Sequence, residues 1–82
     1  MDEQPLQYSP HAREKMAAYR ITEDEVEAIV WYPAWRRQSH HRRIEHYGYS
    51  DDGRLLRVVT DEHEERVITV VDRWRRKRQN KR

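Results

Sequence analysis

The apolar positions of the chain fall into two helical stripes followed by three alternating runs. Ser9-Pro10 opens the first helix, with the Ser9 hydroxyl as N-cap and Pro10 at the first helical position. Ala12, Met16 and Tyr19 then recur at spacings of four and three, which makes one stripe on roughly three turns. Thr22-Glu23-Asp24-Glu25 is a capping box for a second helix. Ile21 and Val26 occupy the staple positions, and Val26, Ile29 and Val30 form the buried stripe. Pro33 disfavours helical backbone at the residue before it, so this helix ends near Trp31.

Residues 34–41 have no clean period and read as a connection. From Arg42 the period becomes two. Ile44, His46 and Gly48 share one face, and Arg43, Glu45, Tyr47 and Tyr49 share the other. Ser50-Asp51-Asp52-Gly53 is a turn, and Asp-Gly supplies its positive-φ position. Arg54 to Thr60 is a second strand, Asp61 to Glu65 a polar turn, and Arg66 to Arg73 a third strand rich in Val and Ile. A strand as apolar as the third is expected to be central, or covered on both faces. Leu6 to Tyr8 can add a short edge strand, with Pro5 arguing for an edge position. The expectation is α+β: two N-terminal helices packed on a three- to four-stranded antiparallel sheet.

Length and composition narrow this picture. With 82 residues, 35% of them hydrophobic and 39% charged, the chain holds one thin-cored domain, assigned to residues 1–74. A domain of this size buries only about 60% of its unfolded surface. A homodimer or a bound partner would therefore add stability by mass action. The absence of cysteine excludes disulfides and thiolate metal sites, which suits a cytoplasmic location. No stretch has the ~20 apolar residues of a membrane helix, and the acidic start has no apolar signal core.

The net charge of +2 hides a segregated pattern. Residues 31–50 carry four arginines and a single acid, while residues 73–82 carry seven bases and no acid. The last eight residues, 75–82, read as a basic disordered tail. Such blocks favour phosphate or acidic partners, or simply keep a tail solvated.

His11-Ala12, Met16, Ile21-Thr22-Glu23-Asp24-Glu25-Val26, Tyr47-Gly48, Asp52-Gly53-Arg54-Leu55-Leu56-Arg57-Val58-Val59 and Val67-Ile68-Thr69-Val70-Val71 together resemble the DUF4258 family from about Tyr8 to Val71. That family is similar to the RelE/ParE and BrnT-like toxins. The resemblance implies a prokaryotic RelE-like fold and a type II toxin-antitoxin-like setting. It also implies a metal-independent RNase or RNA-binding activity, with RNA as target and an antitoxin-like protein as partner, while other members of the superfamily inhibit gyrase instead. One departure is visible. The family has Arg-Gly before the Ile, and here Tyr19-Arg20 stands there. The arginine is shifted by one place, about 100° around a helix.

Metal-free RNA cleavage needs a base for the 2′-hydroxyl, a cation for the phosphorane charge and an acid for the 5′-oxygen. His11, in the family's His-Ala motif, is the first candidate, as a base or as a structural ring bonded to a strand or a carboxylate. Arg57, flanked by apolar residues on the face of Leu55 and Val59, is the second. It either meets phosphate or pairs with the third strand or Asp72. Tyr47 and Tyr49 share a face and can stack bases or pack across strands. Arg36, Arg37, Arg42 and Arg43, with Trp35, suggest a phosphate-contacting loop around His40 and His41. Arg20, Arg73, Arg75, Arg76, Lys77 and Arg78 add sequence-independent charge, and Trp74 can pin the tail. His40, His41 and His46 show no metal-ligand spacing, so neither a metal nor a cofactor is called for. A non-catalytic nucleic-acid-binding module and a homo-oligomeric interaction domain are the competing readings.

Overall fold

The computed structural model describes residues 5–73. The expected basic tail, with Trp74, Arg75, Arg76, Lys77 and Arg78, lies outside the described residues. The elements in order are β1 (Gln7–Tyr8), α1 (Pro10–Tyr19), α2 (Glu23–Trp31), β2 (Trp35–Ser39), β3 (Arg43–Tyr49), β4 (Leu55–Asp61) and β5 (Arg66–Asp72).

Both helices start where the local chemistry requires. The Ser9 hydroxyl accepts the Ala12 N–H (3.0 Å) and donates to the Ile68 carbonyl (2.7 Å). One side chain thus caps α1 and ties it to β5. Thr22 and Glu25 form the reciprocal capping box of α2, and the second carboxylate oxygen of Glu25 accepts the Asp51 N–H at 2.9 Å. That contact fastens α2 to the turn between β3 and β4. Helix α1 ends in a left-handed residue, Arg20 (φ 59, ψ 53). The Ile21 N–H reaches the Met16 carbonyl (2.9 Å) and the Arg20 N–H reaches that of Ala17 (3.3 Å). This pattern ordinarily uses glycine at the left-handed place. Here Arg20 occupies it, and the Arg54 guanidinium donates to the Tyr19 and Arg20 carbonyls at the end of α1.

The sheet has five strands in the order β1-β5-β4-β3-β2. Four are antiparallel neighbours, but β1 pairs parallel with β5, Gln7 opposite Arg66 and Tyr8 opposite Val67. The expected all-antiparallel sheet of three to four strands is therefore a mixed sheet of five. Two differences account for this. Residues 34–41, expected as a connection, contain β2. It is an edge strand whose residues from Trp35 to Gln38 are all exposed, so no alternation of burial marks it. At the opposite edge the expected short strand is present as β1, two residues long beyond Pro5, but it runs parallel to β5.

The apolar third strand has a specific explanation. A bulge shifts the β4–β5 register, so that Thr60 faces Val67 while Val59 faces Thr69. Ile68 is the extra residue, and it is the one whose carbonyl Ser9 takes. The bulge reverses the alternation. Val67 and Val70 both point into the core as a result, three residues apart, and both are fully buried. The core lies between the helices and one face of the sheet, and includes Leu6, Ala12, Met16, Ile21, Val26, Ile29, Val30, Leu56, Val58, Val67 and Val70. Gly48 lets α2 approach β3, since a Cβ there would stand 2.9 Å from Cγ1 of Ile29.

Candidate functional site

Because the helices cover only one face, the other face of the sheet is organised by its side chains alone. Two rows cross it. Trp35, Tyr47, Arg57 and Val71 lie side by side on β2, β3, β4 and β5, and Arg37, Glu45, Val59 and Thr69 form the next row. Tyr49 and Leu55 continue the face at one end, and Ser39, Arg43 and Asp61 at the other.

Trp35 and Tyr47 stack with ring centroids 4.8 Å apart and planes 10° from parallel. The stack buries Tyr47 and leaves Trp35 45% exposed. The Tyr47 hydroxyl donates to Oε1 of Glu45 at 2.9 Å, and Nε of Arg37 donates to the same oxygen at 3.1 Å. These hydrogen bonds, with that of the Ser39 hydroxyl and the charges of Arg37 and Arg57, outweigh burial and hold the Glu45 carboxyl below its ordinary pKa. The carboxylate is therefore charged at neutral pH although it is nearly buried.

Arg57 differs from its neighbours. Its nearest carboxylate oxygen, Oε2 of Glu45, is 4.0 Å from Nη1. Its Nε is buried and has no hydrogen-bond partner among the described residues. The side chain is 27% exposed. A guanidinium has five N–H donors in a planar fork suited to phosphate or carboxylate. Here that fork lies beside Tyr47, Glu45 and the apolar Val59 and Val71, and among the described residues its nearest carboxylate oxygen stays 4.0 Å away. Asp72, expected as its partner, lies on the helix side of the sheet with its carboxylate 3.4 Å from Nη1 of Arg54.

The expected site residues thus divide. Tyr47, Arg57, Arg37, Arg43 and Tyr49 share the open face, with Tyr49 60% exposed. Arg42 lies at the tip of the β2–β3 hairpin, and Arg73 is exposed just after β5. Arg36 is on the helix side, opposite His46, and donates to Oε2 of Glu64 at 2.7 Å. His11 and Arg20 are exposed on the helical layer, across the sheet from Tyr47 and Arg57. Cross-strand packing of Tyr47 was one expectation, but Trp35 as its partner and the role of Glu45 were not. One signal pointed to Glu45: it is the single acid among residues 31–50, on the same face as Tyr47.

His46 is structural. It is fully buried on the helix side, with Nε2 2.9 Å from the Thr60 hydroxyl. That hydroxyl donates to the Asp61 carbonyl, so it accepts from His46, which assigns the proton of the neutral ring to Nε2. Burial, aided by the charge of Arg36, pushes the His46 pKa down to about 4. Among the described residues no group of three or more His, Cys, Asp or Glu is placed to hold a metal ion. Nor is any described helix long and apolar enough to cross a membrane.

Fold and site together define a small α+β domain that displays arginine and aromatic side chains on an open sheet face. The family model described as a domain of unknown function, DUF4258, matches residues 8–72, and the chain belongs to that family. No curated protein and no solved structure matches the chain.

Proposed function

We propose that the open face of the sheet binds single-stranded RNA, in a toxin-like protein of a prokaryotic type II toxin-antitoxin-like system acting in the cytoplasm. The observation that carries the reading is Arg57, a half-buried guanidinium whose Nε has no hydrogen-bond partner among the described residues, beside a stacked Trp35–Tyr47 pair. Single-strand binding combines cations that follow the backbone with rings on which bases stack. Arg37, Arg43 and Arg57 supply the first, and the outer face of Trp35 and the exposed Tyr49 supply the second. The resemblance to RelE-like toxins supports the same target and adds an antitoxin-like protein as partner.

The geometry supports binding ahead of cleavage. A carboxylate held below its ordinary pKa, as Glu45 is, makes a weak general base. His11, the other candidate base, stands across the sheet. The Tyr47 hydroxyl, the candidate acid, already donates to Glu45, which supports Arg57 as a phosphate-binding group rather than as one member of a cleavage set. A labelled single-stranded RNA followed by fluorescence anisotropy tests the reading. Affinity should fall as salt rises, with a log–log slope of about −0.7 per phosphate neutralised. Absence of binding at low salt would overturn it.

A further inference from the structure

Beyond the open face, the tip of the β2–β3 hairpin combines unusual backbone with unpaired charge. His41 (φ 62) and Arg42 (φ 60) are consecutive left-handed residues, and neither is glycine. Left-handed backbone is disfavoured for residues with a Cβ, and the three-residue loop closed by the Ser39–Arg43 pair holds two such residues in a row, places that Asn and Gly occupy with less strain. The neighbouring β3–β4 turn shows the ordinary solution, with Gly53 at its positive-φ place. His40, His41, Arg42 and Arg43 are all exposed, and among the described residues none of their side chains forms a hydrogen bond or ion pair; the His40 and His41 rings meet edge to face. Nothing within the described fold uses these side chains, yet the backbone accepts strain to carry them. Strain of this kind collects at functional positions.

The tip also stands in line with the proposed site. Arg43, Glu45, Tyr47 and Tyr49 run along the open side of β3. At about 3.4 Å per residue, roughly 20 Å separates Arg43 from Tyr49. The tip extends that line past Arg43. We infer that the His41–Arg42 turn is a phosphate-contacting element, which grips the backbone of the RNA strand where it leaves the sheet. The inference rests on the RNA-binding reading above and adds where the strand runs.

The test uses the full chain and a fluorescein-labelled oligouridylate, with anisotropy read across a salt series. The double variant His41→Asn/Arg42→Gly gives the turn its unstrained chemistry and removes its charge. It should melt about 4–8 °C higher, as relief of one such strained residue implies for a domain of this size. It should also bind about tenfold more weakly, with a salt slope shallower by about 0.7 for each phosphate that the turn no longer neutralises. Arg42→Glu reverses the charge without adding glycine and should weaken binding further, whereas Arg42→Lys should preserve the slope. If both charge-removing variants bind with wild-type affinity and slope while Arg57→Ala does not, the tip does not touch the RNA and the sheet site stands alone. If the wild-type chain itself does not bind, the RNA-binding reading beneath the inference has failed.

Discussion

Tyr47 and Arg57 stand directly opposite each other on β3 and β4, on the face the helices leave open, and both are linked to Glu45. Tyr47 donates to one carboxylate oxygen, while Arg57 stays 4.0 Å from the other. Glu45 thus fixes the tyrosine and leaves the guanidinium its donors. Replacing Glu45 by Gln should keep a hydrogen-bond acceptor for Tyr47 while removing the charge that competes with phosphate for Arg37 and Arg57. RNA affinity should rise, by about three- to tenfold if one competing charge near the surface is worth about 1 kcal/mol. A titration of E45Q beside the wild-type chain reads the change directly. Weaker binding would instead make Glu45 a positioning group for the two arginines.

The left-handed Arg20 offers a test of the fold. Arg20→Gly should stabilise the domain by about 1 kcal/mol, because glycine carries no Cβ penalty at φ 59. The Arg54 contacts go to backbone carbonyls and survive the change. Thermal unfolding followed by circular dichroism is the measurement.

Gly48 is expected to behave in the opposite way. Gly48→Ala would place a methyl group 2.9 Å from Cγ1 of Ile29, in the middle of that side chain rather than at a flexible end. Overpacking of this kind costs about 1–3 kcal/mol. Urea denaturation should show a lower midpoint with an unchanged slope.

The helices and the central strands were legible because their signals are local. A capping box, a staple and an Asp-Gly turn each specify backbone within four residues, and Thr22–Glu25 and Gly53 take the conformations those signals imply. Of the two edge strands, β1 was anticipated at Leu6 to Tyr8 but not its parallel pairing, and β2 was not legible, for the same reason. Trp35–Ser39 is exposed from Trp35 to Gln38, so its sequence carries no period, and Gln7–Tyr8 is a strand only because β5 lies beside it. The bulge at Ile68 is also tertiary in origin, since the Ser9 hydroxyl takes its carbonyl. In the site, alternation placed Tyr47, Tyr49 and Arg57 on one face. The convergence of Arg37 and Tyr47 on Glu45 needed the β2–β3 register, which no periodicity announces. His11 looked close to the chemistry in sequence and stands on the other layer.

Stability should fall on mild acidification, and His46 is the cause. Its folded pKa of about 4 lies below the ordinary 6.5, so the unfolded chain takes up the proton first. Stability from the neutral ring is therefore full above about pH 6.5, declines as the pH falls, and levels off below about 4. Between pH 7 and 5 the loss should be about 2 kcal/mol. Glu25 and Glu45, whose pKa values are lowered, act in the same direction but below the ordinary carboxylate range. His46→Gln keeps a donor for the Thr60 hydroxyl and should flatten the pH 7–5 dependence. Urea denaturation at closely spaced pH values compares the two proteins.

Arg57 is proposed as the anion-binding group of an RNA-binding sheet face. The most direct measurement is the anisotropy titration of labelled single-stranded RNA with the wild-type chain, Arg57→Ala and Arg57→Lys at one low salt concentration, each checked for an unchanged fold by circular dichroism. Affinity should fall at least tenfold for Arg57→Ala and less for Arg57→Lys, which keeps the charge without the fork. Equal affinity for all three proteins would contradict that role.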